Sequence, residues 1–442
     1  MTHSNESDDR AAARAALPDP PVSDLPPIAE AMDAPATGVQ VRKAAVAFIF
    51  ITVLLDILAF GMIIPVLPHL IASFLGGNVS KAALWYGSFS AFFNLMQFVF
   101  SPIQGALSDR FGRRKVILLS NFGLGVDFLF MALVSTLPLL FIGRLVSGIT
   151  SASFSTAGAY IADVTPPQKR AQAFGMIGMA FGIGFVVAPA IGGVLGEVHP
   201  RLPFWIAACL SLANFCYGFF VLPESLPLDR RAPFRWSKAN PLASLRLLRS
   251  HHELFGLATV LLLMQFAHFV YPSTFVLYAD YRFHWNSGMV GYTLAFVGVL
   301  AAIVQGGLIK RFIARFGERR TLMIGLACGT LGFTLYGLAP NGYWFWAAMP
   351  IAALWGISAP SAQAIMTHHV SPNEQGRLQG AISSLTSIAG IFAPFAFTHV
   401  FAAITATRPG NPWVGATFWM AGMLVLMAAI IARRTTTRLH AQ

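Results

Sequence analysis

Long apolar runs alternate with short polar stretches from residue 44 to residue 432. The runs cover roughly 44–67, 84–107, 115–137, 138–162, 171–196, 203–222, 253–279, 289–309, 320–339, 342–366, 376–400 and 412–432. Each holds about the 20 residues that a helix needs to cross ~30 Å of hydrocarbon. Backbone polar groups surrounded by lipid must be satisfied within their own segment, so the pattern predicts twelve transmembrane helices. A porin-type barrel is excluded, because its strands alternate inward and outward over about ten residues. The expected fold class is an all-α membrane protein.

The polar stretches add an orientation. Arg42 and Lys43 precede the first run, and Arg110, Arg113, Arg114 and Lys115 lie between the second and third. Lys169 and Arg170 follow the fourth, and Arg230, Arg231, Arg235, Lys238, Arg246 and Arg249 lie in the central connector. Lys310, Arg311, Arg315, Arg319 and Arg320 follow the eighth, Arg377 the tenth, and Arg433, Arg434 and Arg438 the last. The alternate stretches carry only Lys81, Arg201, Arg282 and Arg408. By the positive-inside rule both termini are expected in the cytoplasm. This one-sided charge changes how the net charge of +12 reads. It marks topology in a lipid bilayer, and no nucleic-acid partner is implied. Composition agrees, with hydrophobic residues at 56% and charged residues at 11%, outside the range of soluble domains.

The domain boundaries follow from the same pattern. Residues 1–43 are polar and rich in Ala and Pro, and read as a disordered cytoplasmic tail. They lack the basic-then-apolar order of a signal peptide. Residues 223–252 form a long polar connector between two sets of six runs, 44–222 and 253–432, and 433–442 form a second cytoplasmic tail. Cys209, Cys216 and Cys328 all lie in apolar runs, without disulfide or metal spacing. The pairs His251–His252 and His368–His369 lack acidic or Cys companions, so neither a metal nor a cofactor is expected.

Charged groups inside the runs are the candidate chemistry, because each costs about 2.5–3.5 kcal/mol to place at mid-bilayer depth. Asp56 and Asp127 are the acids deep in the runs and are candidate proton carriers. Arg144 needs a partner, and Asp127 on the preceding run is one candidate. Gln97, Gln265, His268 and Gln305 are polar groups in apolar surroundings, fit either to bind a ligand in a central cavity or to bridge helices. Gly184, Pro189, Gly192 and Gly193 place small residues and a kink in the fifth run, as expected of a hinge.

The halves also echo each other: Gly105-Ala-Leu-Ser-Asp-Arg-Phe-Gly-Arg-Arg114 follows the second run, and Arg315-Phe-Gly-Glu-Arg-Arg320 the eighth. A duplicated six-helix unit is the build of a transporter that rocks two bundles around a central site. GALSDRFGRR resembles the loop signature of the major facilitator superfamily. LLDILAFGMIIPVLPHL, GRLVSGITSASFSTAGAYIAD, GFVVAPAIGG and YRFHWNSGMVGYTLA resemble segments of its tetracycline-efflux branch. The resemblance implies two six-helix bundles, acting as a monomer in the inner or plasma membrane, that exchange an exported small molecule for a proton. It implies gating roles for Asp109, Arg110, Arg113, Arg114 and Asp163, with Arg113 pairing to Asp163. Two departures limit it: Ala301 and Cys328 stand where tetracycline exporters carry a His and an acid. Coupling would then rest on the first half. An uptake symporter on the same fold is the rival reading. A membrane-embedded enzyme or a receptor is weaker, since no HExxH, GxSxG or paired-Asp constellation occurs.

Overall fold

The computed structural model describes residues 37–150, 153–166, 169–234, 254–371, 374–407 and 412–441. The described residues are overwhelmingly helical. In chain order the α-helices are α1 (Thr37–Ile63), α2 (Leu67–Phe74), α3 (Val79–Phe111), α4 (Arg113–Leu133), α5 (Leu137–Thr150), α6 (Ser153–Val164), α7 (Arg170–Val198) and α8 (Leu202–Val221). After the connector come α9 (Phe255–His268), α10 (Val276–Phe283), α11 (Ser287–Ile303), α12 (Ile309–Leu338), α13 (Gly342–Ala353), α14 (Ser358–His368), α15 (Gln375–Thr407) and α16 (Ala416–Ala441). The chain divides into two units, Met1–Ala44 and Ala45–Gln442, and the packed helices belong to the second. His251, His252, Arg235, Lys238, Arg246, Arg249 and most of the tail and connector lie outside the described residues.

Several boundaries move for identifiable reasons. The first helix begins at Thr37, inside the segment read as a tail, and α16 continues through 433–441, so that stretch is helical. Pro65 and Pro68 break the first run between α1 and α2, because each removes a backbone N–H and crowds the preceding turn. A π turn at Tyr271–Phe275 around Pro272 interrupts the seventh run, and a 3-10 turn at Leu354–Ile357 the tenth. Asn78, Asn286 and Asn341 cap α3, α11 and α13 by accepting from Lys81 N, Met289 N and Trp344 N, which satisfies donors that a helix start leaves open.

Eight helical stretches among the described residues are long and apolar enough to cross a membrane. One of them, Ser287–Leu338, runs for 52 residues through a π turn at Val304–Leu308. The α3 helix falls short on composition because Ser88, Ser90, Asn94, Gln97 and Gln104 lie within it.

The internal repeat has a backbone counterpart. Gly112 (φ 100°, ψ 150°) ends α3, and Gly317 (φ 74°, ψ 166°) kinks α12 at the matching position of the echoed motif. Both need a conformation that a Cβ opposes. Within the first half α3, α4, α5, α6 and α8 pack together; within the second α9, α12, α13, α14, α15 and α16 do so. Two long antiparallel contacts join the halves, α7 to α11 and α3 to α15.

The α7 contact is built from small residues. A Cβ at Gly192 would enter the Met62 backbone, one at Gly184 would strike Ile57, and one at Gly193 would strike the Ser287 carbonyl. The predicted hinge residues therefore wedge α7 between α1 and α11, with the Pro189 carbonyl packed where a Cβ at Gly291 would lie.

Candidate functional site

A cavity of about 340 Å³ opens between the halves. Its wall combines Ile57, Phe60 and Ile63 of α1, Ile64 of the following turn, Tyr86, Ser90, Phe93, Asn94 and Gln97 of α3, Arg144 of α5, and Phe181 and Phe185 of α7. From the second half come Phe269, Pro272 and Pro394. Residues 86, 90, 94 and 97 recur every third or fourth position, so one face of α3 lines it. Phe60 stacks on Phe93 at 5.7 Å between centroids, and Phe181 on Phe185 at 6.3 Å. The wall is thus aromatic and flat-sided, with few polar groups.

Of the residues singled out from sequence, Gln97 and Arg144 reach this cavity. Arg144 is 6% exposed, and its guanidinium carbon lies 4.6 Å from the Phe93 ring centroid. Three others are not on the wall. Gln265 donates to Thr386 Oγ1 at 3.0 Å and bridges α9 to α15. His268 sits among the rings of Tyr271 and Trp355. Gln305 is exposed in the π turn.

The two deep acids take partners that the sequence did not reveal. Asp56 is 3% exposed and accepts from Asn214 Nδ2 at 2.8 Å. The same amide group donates to Thr52 O at 2.9 Å, so Asn214 ties α8 to a turn of α1. Asp127 accepts the Ser147 hydroxyl. Arg144 is within electrostatic reach of Asp127, but no hydrogen bond or ion pair joins them among the described residues. Asn214 and Ser147 were legible only as polar residues in apolar runs, a weak signal without their partners.

The loop between α3 and α4 is ordered by charge. Arg113 pairs with Asp109 at 2.6 Å and with Asp163 at 3.1 Å. Glu224 Oε1 accepts from Arg113 N at 2.8 Å and from Arg114 N at 3.5 Å, an acid on the positive end of α4. Glu224 also lies 3.7 Å from Arg231, and Ala232 N donates to Asp109 O, so the start of the connector folds over the loop. Arg114 donates to Phe219 O, and Arg110 lies over the Phe111 ring. In the second half Glu318 lies 3.2 Å from His368, across the same sequence separation as Arg113 and Asp163 but with the acid on the earlier residue. Neither His368 nor any other group forms a metal-binding cluster among the described residues. Glu224→Ala is expected to cost about 1–2 kcal/mol by removing this cap. The readout is a lower thermal unfolding midpoint of the purified protein, and an unchanged midpoint would contradict the capping role.

The halves touch at one end. At the end opposite the basic loops, Tyr86 Oη donates to Pro272 O at 2.7 Å, Ser80 Oγ donates to Ala402 O at 2.8 Å, and His69 lies 3.8 Å from Asp280. The α7–α11 contact runs from Glu197 against Gly288 to Val186 against Gly298. Beyond it, toward the basic loops, a Cβ at Gly175, Gly178, Gly182, Gly306 or Gly307 would meet nothing within 4 Å among the described residues. A central cavity between two sets of helices that touch at one end is what a carrier presents in one state of its cycle.

The family model of the Major Facilitator Superfamily matches residues 49–394 and, overlapping, 312–441. The chain belongs to this superfamily. It is similar to the class C tetracycline resistance protein of Escherichia coli, 37% identical over 387 residues, which cover 87% of this chain and 97% of that one. The class G tetracycline resistance protein of Vibrio anguillarum is 36% identical, over 89% and 98% of the two chains. Among solved structures, the human organic anion transporter MFSD10 (TETRAN) superposes with a TM-score of 0.65 at 25% identity, covering 88% of this chain and 99% of that one. The nucleoside transporter NupG reaches a TM-score of 0.72 at 16% identity, over 88% and 99%. This superfamily member is a multi-pass membrane transporter, not an enzyme. Its fold is the all-helical major facilitator fold.

Proposed function

We propose that the protein is a proton-coupled exporter of a small, partly apolar molecule, working by alternating access in the inner or plasma membrane. Twelve helices form two six-helix bundles with both termini in the cytoplasm. The cavity built from both halves of the chain carries this reading: it lies between Phe60 and Phe181 on one side and Phe269 and Pro394 on the other, and the contacts between halves at the end opposite the basic loops favour an opening toward those loops. With the basic loops inside, the site faces the cytoplasm, ready to load an exported substrate. Resemblance to tetracycline resistance proteins along nearly the whole chain favours export over uptake.

The roles follow from position. Asp56 carries the proton, Asn214 holding its carboxylate between turns. Arg144 and Gln97 contact the substrate. Asp109, Arg113 and Asp163 form a latch that is remade in each cycle, because an ion-paired loop between moving bundles has two discrete arrangements. Gly184, Pro189, Gly192 and Gly193 allow α7 to pivot. The loss of ionisable side chains at Ala301 and Cys328 leaves the coupling to the first half.

The decisive experiment is flux in proteoliposomes with an imposed pH gradient. Tetracycline and other planar aromatic compounds are tested in turn. Substrate accumulation that collapses with the gradient is expected. Equal flux with and without the gradient would remove the proton from the mechanism. Topology has its own test: reporters fused near residues 235 and 440 should read cytoplasmic, and one near Asn341 external. An external C-terminus would overturn the twelve-helix arrangement.

A further inference from the structure

We infer that the cavity selects a planar apolar molecule bearing one carboxylate, and that Arg144 is the residue that pairs with it. This rests on the cavity being the substrate site. Arg144 is the charged residue on a wall that contains no carboxylate. Its side chain is more than nine-tenths buried, and Nε has no hydrogen-bond partner among the described residues.

A buried cation without a hydrogen-bonded counter-charge is costly. Phe93 offsets part of that cost from its ring face, but a ring accepts no conventional hydrogen bond. The acid within electrostatic reach, Asp127, accepts Ser147 through Oδ2 and keeps Oδ1 without a hydrogen bond, but it is not on the wall and makes no hydrogen bond to Arg144 among the described residues. The planar fork of N–H donors on Arg144 is therefore left for an acceptor that enters from the cavity, and carboxylates match that fork with two parallel bonds. The rest of the wall says what the anion is attached to. Stacked ring pairs Phe60–Phe93 and Phe181–Phe185 offer faces to a flat apolar frame, and Asn94 beside Gln97 gives neutral polar contacts at its edge. A cationic molecule would meet a like charge and no acid on this wall.

The test uses three probes with one frame: anthracene carboxylate, anthracene carboxamide and aminomethylanthracene. Binding to the full-length protein in nanodiscs is read by energy transfer from its tryptophans, with lipid-only nanodiscs as the blank. The carboxylate is expected to bind about tenfold more tightly than the amide, and the amine more weakly still. Arg144→Gln should erase the anion's advantage over the carboxamide, and a thermal unfolding midpoint near that of the wild type reports that the variant is folded. Arg144→Lys should keep part of the advantage, since charge remains and the fork is lost. Equal binding of the three probes, or a preference for the amine, overturns the inference in the wild-type protein alone, whether or not the glutamine variant folds. An anion preference that survives Arg144→Gln removes Arg144 from the role. The transport reading fails separately: anion-selective binding without pH-driven flux would leave this inference standing and sink the exporter.

Discussion

Asp56→Asn is expected to abolish accumulation of substrate against its gradient when a pH difference is the sole driving force, while downhill exchange continues. The expectation follows from burial and from the partner. Asp56 is held on α1 by one amide group, that of Asn214, and lies one residue before the cavity-lining Ile57. Asparagine keeps the size and a hydrogen-bonding oxygen at that position, so the packing of α1 on α8 survives and only the titrating group is lost. Asn214→Ala removes the donor and leaves a buried carboxylate oxygen unpaired, at a cost of about 1–3 kcal/mol. It should weaken coupling without eliminating it, and lower the thermal unfolding midpoint. Proteoliposome flux measured with and without the gradient separates these effects. Wild-type accumulation by Asp56→Asn would move the proton route elsewhere, with Asp127 the next acid to test.

Gly291→Leu is expected to remove transport altogether, with the protein still inserted in the membrane. A Cβ at Gly291 would enter the Pro189 carbonyl and lie 3.1 Å from Gly193 Cα, backbone atoms that no side-chain rotation can move away. The α7 and α11 helices would have to separate, and with them the contact that closes the end opposite the basic loops. Overpacking of this kind costs about 1–3 kcal/mol. Each span satisfies its own backbone hydrogen bonds, so insertion does not depend on the contact. Gly306→Leu is the control, since that Cβ meets nothing within 4 Å among the described residues. Flux at the wild-type rate from Gly291→Leu would show that closure at this contact is dispensable. Equal damage from the control would point to helix propensity instead.

The helical, membrane-crossing nature of the chain could be read from the sequence, because lipid imposes one rule on every residue of a crossing segment. The apolar runs, the one-sided Arg and Lys, and the two RFG motifs with their matching glycine conformations are local features. So was the cost of Asp56, Asp127 and Arg144 inside apolar runs. Their partners were not local. Asn214 meets Asp56 across 158 positions, and Glu224 reaches Arg113 across 111. Which polar residues face a cavity also depended on helix rotation in the packed bundle. Gln97 and Gln265 look alike in sequence, yet one lines the cavity and the other bridges to Thr386. Hydrophobicity and charge act residue by residue and leave their mark in composition and spacing. Pairing, rotation and the choice of which end is closed arise from contacts between distant helices, and only the assembled structure decides those.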